Sequence, residues 1–319
     1  MTALLSCLRT QPPATPPVLM RRLAIAAVVA QAGIAVTGSV VRVTGSGLGC
    51  PTWPQCFPGS LVPVSNADVA PLHQWVEFGN RLLTVVLVLV AGACLLAALN
   101  TRPRRRRLTW LAAAMPAGVV AQAVVGGVTV LAGLVWWTVA PHFLVSMVLV
   151  WLAVLLVAES SGAHRHPTPV APVARRLVTA SVVVLAALLV AGTLVTAAGP
   201  HAGDPDTPRL DLSVELLAQV HGGLLLGYVA LLVALGLALR ATGATATVWR
   251  RYGLLVAVVV AQGALGRVQY ALGVPELLVS LHVLGACLVT IAAAALWTAT
   301  SGRSPTASQP PVTSAAIRA

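Results

Sequence analysis

At 319 residues, 58% hydrophobic and only 9% charged, with a mean hydropathy of +0.89, the chain has too little charge to cover a water-soluble fold. Its net charge of +12 could suggest a nucleic-acid partner, but the arginines cluster between long apolar runs. That is the positive-inside pattern of a protein in a lipid bilayer, and it argues against nucleic acid.

The apolar runs predict an all-α polytopic membrane protein of eight transmembrane helices. A Pro/Thr-rich tail, 1–18, leads past Arg21 and Arg22 into a retained first helix, 19–43. A long loop, 44–72, carries Thr44-Gly45-Ser46-Gly47-Leu48-Gly49-Cys50-Pro51-Thr52-Trp53-Pro54-Gln55-Cys56. Helix 2, 74–99, ends at the basic run 102–107. Helix 3, 108–131, turns at Gly133 and meets Trp136 and Trp137, which read as interfacial anchors of helix 4, 139–158. The basic linker 161–176 holds His164, Arg165, His166, Arg175 and Arg176. Helix 5, 177–197, precedes Gly199-Pro200-His201-Ala202-Gly203-Asp204 and the acidic Asp206, Asp211 and Glu215. Helix 6, 216–239, ends at Arg240; helix 7, 252–272, follows Arg250 and Arg251; helix 8 covers 276–297. The tail, 298–319, is Ser/Pro/Thr-rich and predicted to be disordered.

Arginine-rich loops alternate with loops holding Asp68, Asp204, Asp206 and Asp211. This places both termini in the cytoplasm and the Cys50/Cys56 loop on the outer face of the cell membrane. Disulfides persist on that side, and Pro51 and Pro54 bend the chain so that a Cys50–Cys56 bridge is reasonable. It would be either a loop staple or a labile, redox-active pair. Cys7 lies in the tail, while Cys94 and Cys287, inside apolar runs, read as small buried hydrophobes.

The chain contains a duplication. Gln122 precedes His142 by twenty residues, and Gln262 precedes His282 by the same step, 140 residues later. Val43-Thr44 matches Val195-Thr196 at the outer end of the first helix in each half. Two halves follow, 19–160 and 177–297, each a four-helix bundle; with four helices per half the repeat is parallel. In the second half, His221 and His282 open helices 6 and 8 at one depth, as bis-imidazole ligation of haem requires. Gly222, Gly223 and Gly227 would let a flat macrocycle approach, although two core histidines bonded to their neighbours would give the same pattern. In the first half, His142 faces Asn80, the counterpart of His221. His73, Glu77 and Asn80 share one helix face. Glu77 is either part of a structural pair or used in chemistry, and Arg81 reads as an outward-pointing partner. One half thus looks built to hold a cofactor and the other to act on something.

These residues resemble the haem A synthases of bacteria. The likeness covers 20–297 and is carried by the run 42–56, by Glu77-Phe78-Gly79-Asn80-Arg81, by the 199–204 run, and by His142, His221 and His282. The resemblance implies a haem-dependent oxidoreductase that converts the C8 methyl of haem O to the formyl group of haem A, for cytochrome oxidase. It implies haem b on His221 and His282, haem O near His142 and Glu77, and Cys50/Cys56 as the family's outer-loop pair. Glu77 matches the family's essential acid, and haem b would deliver or remove electrons one at a time. Partners would be haem O and the haem O synthase that supplies it, with the electron donor and any homo-oligomer left open. One departure stands out: the family motif Glu-x-x-His-Arg has Asn80 in its histidine position. Either His73 replaces that ligand or His142 alone holds the substrate iron. The alternative reading is a non-catalytic bis-histidine cytochrome b that passes electrons from quinol. A transporter is disfavoured, since only Met115-Pro116 interrupts a helix.

Overall fold

The computed structural model of the protein describes residues 14–65, 68–161 and 170–300. Cys7, His164, Arg165, His166 and the tail 301–319 lie outside the described residues. Eight helices are described: α1 Pro17–Val43, α2 Pro71–Leu99, α3 Arg106–Leu131, α4 Trp136–Ser160, α5 Pro172–Ala198, α6 Val214–Ala241, α7 Ala246–Ala271 and α8 Glu276–Thr300. Each is 25 to 29 residues long and apolar enough to cross a membrane. Among the described residues the rest is turn and loop, apart from one bridge between Phe57 and Ser60.

The helices run past several boundaries expected from hydropathy. Proline, with φ already helical and no N–H to satisfy, opens α1, α2 and α5. Ser213 caps α6 by accepting the Leu216 N–H at 3.2 Å. Arg175, Arg176, Arg250 and Arg251 are helical rather than parts of linkers, and Trp136 and Trp137 form the first turn of α4. Residues 298–300 continue α8, so the predicted tail starts as helix. At the arginines the physical reason is that the side chain can bury its aliphatic stem along a helix and keep its charge at the membrane surface.

The first four helices pack closely, α1 on α2 and α4, and α3 on α2 and α4. The last four form two tight pairs, α5 with α6 and α7 with α8, but α6 and α7 barely touch. The two groups meet where α1 and α4 pack on α8. Ala32, Met147, Val150 and Cys287 fill that seam. Free Cys94 and Cys287 are both fully buried.

The apolar cores sit towards one end of the helices. Met20, Ala24, Leu87, Met115 and Leu156 form one, and Val178, Tyr228, Leu235, Leu255 and Leu296 the other. The histidines lie at the opposite end, where turns and loops meet. There the duplication is visible in the backbone. After α3, Gly133 and Leu134 adopt φ of 70° and 59°; after α7, Gly273 and Val274 adopt 75° and 61°. Leu134 N–H closes on Thr129 O and Val274 N–H on Gln269 O, both at 2.9 Å. This is a Schellman ending carried one residue further, unusual for a β-branched valine. The His201 ring bonds the Val274 carbonyl at 2.8 Å, which helps hold that turn.

Candidate functional site

The Gln–His pairs form the same contact in both groups of helices. Gln122 Nε2 donates to the His142 carbonyl at 3.0 Å, and Gln262 Nε2 to the His282 carbonyl at 2.8 Å. The long polar side chain thus bonds the first turns of the next helix and fixes the height of each histidine. Gln122 also donates to Ser146 Oγ at 2.6 Å.

Each of the three membrane histidines lies against a glycine of the preceding helix. A Cβ on Gly126 would stand 3.3 Å from His142 Cε1, one on Gly192 3.3 Å from His221 Cε1, and one on Gly266 2.9 Å from His282 Cε1. The sequence reading missed these glycines. Their signal was present at Gly126 and Gly266, each four residues after its glutamine. The Nδ1 atoms of His142, His221 and His282 are buried without a hydrogen-bond partner among the described residues. The His221 ring also lies within reach of the Leu188 backbone. A buried imidazole nitrogen left without a partner, as at His142 and His282, is costly unless something else engages it.

His221 and His282 face one another with ring centres 6.5 Å apart and planes at 64°. A metal atom between two imidazole nitrogens, with bonds of roughly 2.0–2.1 Å, needs ring centres roughly 6–6.5 Å apart. The α5–α6 and α7–α8 pairs make little contact through α6 and α7. A Cβ on Gly222, Gly223 or Gly227 would meet nothing within 4 Å, but at 100° per residue Gly223 and Gly227 lie on the far side of α6 from His221. The spacing of the two rings therefore fits a planar, iron-centred group held by two histidines.

The first four helices differ. Asn80, where the repeat would put a second histidine, accepts the Thr37 hydroxyl at 2.7 Å on Oδ1. His73 and Glu77 serve the loop between α1 and α2. His73 Nδ1 and Ser46 Oγ share a hydrogen bond of 2.9 Å, and Ser46 is fully buried. Glu77, 5% exposed, accepts the Cys50 N–H at 2.6 Å on Oε2. Its Oε1 accepts from Arg81 Nη2 at 2.6 Å and Nε at 3.1 Å. Arg81 does not point outward. It turns inward and donates to the carbonyls of Cys50 at 2.7 Å, Thr52 at 2.9 Å and Gln55 at 3.1 Å. The reason is the loop itself, which offers three converging carbonyls that a five-donor guanidinium can satisfy.

Cys50 and Cys56 are disulfide-bonded, with both cysteines fully buried. Trp53, inside the closed loop, lies on α3, where a Cβ on Gly127 would come within 2.5 Å of its ring. Gly127 adjoins the glycine under His142, so the disulfide loop roofs the His142 site.

The architecture of this roof, with its run from Thr44 to Cys56, lies inside a match to a known family. The family model for COX15-CtaA, a cytochrome oxidase assembly protein, matches residues 21–203. The chain belongs to that family. Family likeness thus covers α1 to α5 and the start of the following loop, and leaves His221 and His282 to be judged on geometry. The chain is also similar to a heme A synthase of Geobacillus kaustophilus (strain HTA426), 31% identical over 126 residues, which cover 39% of this chain and 37% of that protein. A heme A synthase of Geobacillus thermodenitrificans is 38% identical over 56 residues, 18% of this chain and 16% of that protein. The chain therefore spans well under half the length of the curated relatives it matches.

Proposed function

We propose that this protein is a haem A synthase, an oxidoreductase that converts the C8 methyl of haem O to the formyl group of haem A for cytochrome oxidase. The observation that carries this reading is the unequal pair of sites: two imidazoles facing one another at 6.5 Å in one, and an imidazole without a second histidine in the other. His221 and His282 would hold a resident haem b, and His142 would ligate the iron of haem O. Bound there, haem b supplies one-electron redox chemistry.

The chain's own groups position and enclose. Gln262 and Gln122 set the height of His282 and His142 through their carbonyls. Both Glu77 oxygens are engaged, Oε2 by Cys50 and Oε1 by Arg81, which supports a positioning role over a proton relay. With Arg81 and the Cys50–Cys56 bridge, Glu77 would keep the roof closed and water away from the substrate. The bridge then acts as a staple. His73, bonded to Ser46 through Nδ1, helps hold the roof, and we take His142 as the protein ligand to the substrate iron.

In this reading the chain divides as 1–18, 19–160, 161–176, 177–297 and 298–319, with substrate in the first large unit and haem b in the second. Both termini face the cytoplasm of a cell membrane and the disulfide loop faces outward, by the arginine bias. The haem O synthase that makes the substrate would be a partner. The test is to produce the full chain in cells that make haem O but no haem A, then extract and separate the haems. Haem A, with haem b retained by the purified protein, is the expected result. Haem b alone, with haem O unconverted, overturns the proposal in favour of an electron-carrying cytochrome b.

A further inference from the structure

A second unsatisfied feature lies one helical turn beyond His221. Gly192, under the His221 ring, accepts the Thr196 hydroxyl on its carbonyl at 2.8 Å. The Thr196 carbonyl in turn accepts Arg42 Nη2 at 2.9 Å, from the last turn of α1. Arg209, in the loop after α5, donates through Nη2 to the Pro200 carbonyl. Two guanidinium groups are thus anchored by one edge each to backbone carbonyls near the end of α5. They are near enough for the charge of one to act on the other.

One further donor on each is left idle. Arg42 Nε and Arg209 Nη1 are buried without a hydrogen-bond partner among the described residues. Among those residues, neither arginine reaches a carboxylate, although other arginines do so in three ion pairs. Two neighbouring cations with buried, idle N–H groups are unfavourable without a counter-anion. A planar fork of N–H groups matches a carboxylate in particular.

We propose that Arg42 and Arg209 form a carboxylate site at the rim of the His221–His282 cleft, binding the propionate groups of the tetrapyrrole held there. The placement supports it: Thr196 is one turn, about 5 Å, beyond Gly192, so the arginines lie beyond the rings on the loop side. A tetrapyrrole held by His221 and His282 would bring its carboxylates within reach of that rim. Arg42 belongs to α1 and the histidines to α6 and α8, so the cofactor would tie the two groups of helices together. The seam is already laced there, since Gly47 N–H donates to the Gly203 carbonyl at 2.9 Å.

This inference rests on the proposed haem b site, and its test separates the two. The full chain, produced without haem and placed in phosphatidylcholine nanodiscs, is titrated with haem b and with haem b dimethyl ester, whose carboxylates are blocked. Wild-type protein should prefer the free acid by roughly tenfold or more, the range of a charge-assisted hydrogen bond. In Arg42→Gln and Arg209→Gln the preference should shrink towards unity, and Arg42→Lys should keep part of it. Because the preference is a ratio within one sample, loss of folded protein does not alter it. Equal affinity of wild type for both compounds overturns the arginine assignment while leaving the histidine site intact. Unchanged binding of both compounds by His221→Ala and His282→Ala overturns the haem site itself. A third arm uses nanodiscs containing phosphatidylglycerol. If that lipid abolishes the wild-type preference and stays bound only when both arginines are present, the site takes a lipid phosphate and the proposal fails.

Discussion

The two groups of four helices share a turn, a glutamine–carbonyl bond and a glycine under each histidine, yet they differ where a cofactor would matter. Helices α5 to α8 stand apart as two pairs, and His221 and His282 approach each other between them. Helices α1 to α4 close on one another, and Asn80 is bonded to Thr37 instead of facing His142 as a second ligand. The difference teaches how one repeat can serve two purposes. A resident group needs a standing cleft and two strong ligands, whereas a substrate that must leave needs one ligand and a cover that can be held shut. Among the described residues, the disulfide roof belongs to the α1 to α4 group alone.

The sharpest way to break this comparison is to remove the ligands one at a time. His221→Ala or His282→Ala should abolish the resident haem b absorbance in reduced-minus-oxidised spectra of purified protein. His142→Ala should keep that absorbance and lose haem A formation. Loss of haem b from the His142 variant as well would mean that the two sites are one.

Next in size is the roof. Glu77 and Arg81 form a largely buried ion pair that also holds the backbone from Cys50 to Gln55. Glu77→Ala strands a guanidinium, and breaking such a pair costs about 3 kcal/mol or more. The expected result is proteolysis between Cys50 and Phe57 at protease levels that leave wild type intact, together with a lower Tm. Glu77→Gln, which can still accept the Cys50 N–H, should fall between the two. A Glu77→Ala protein with wild-type resistance and no haem A formation would return Glu77 to a direct chemical role.

The reach of sequence reasoning follows the same division. Eight spans were legible because membrane length and apolarity leave few alternatives. The paired histidines were legible because the Gln–His step repeats at 140 residues. The orientation of Arg81 was not, since an i, i+4 glutamate partner fits an arginine turned inward or outward. What decides it is a set of loop carbonyls that no side-chain pattern encodes. The link from Arg42 to Thr196 was likewise hidden, because it spans 154 positions and ends on a backbone atom. Helix ends at Arg175 and Arg250 were drawn short because hydropathy penalises a charge that the helix can carry outward. Asn80 was noticed as a departure from the motif, but its bond to Thr37 needed the packing of α1 on α2.

That bond supplies the third prediction. Asn80→His places an imidazole in the repeat position of His221 and should make the two sites more alike. With haem O bound, wild type should bind carbon monoxide at the substrate iron, seen in the reduced difference spectrum. Asn80→His should bind it at least several-fold more weakly while haem b is unaffected. Equal binding would show that position 80 does not face the iron, and the contrast between the halves would then rest on packing alone.

The smallest expected effects come from the glycines, and they measure how tightly each ring is held. Alanine at 126 or 266 gains about 1 kcal/mol of helix propensity, so an unopposed substitution would stabilise its helix. A methyl at 266 must stand 2.9 Å from His282 Cε1, closer than real contacts allow, while one at 126 stands 3.3 Å from His142. Since Gln262 fixes the backbone height of His282, the ring can respond only by rotating about its side chain. Gly266→Ala should therefore shift the haem b absorption band and weaken haem retention about twofold to tenfold, against a gain in helix stability. Gly126→Ala should leave haem b alone and lower the rate of haem A formation by less than that factor. If the two variants behave alike on the haem b spectrum, the His282 ring is no more constrained than the His142 ring, and the second half is not the more rigid of the two.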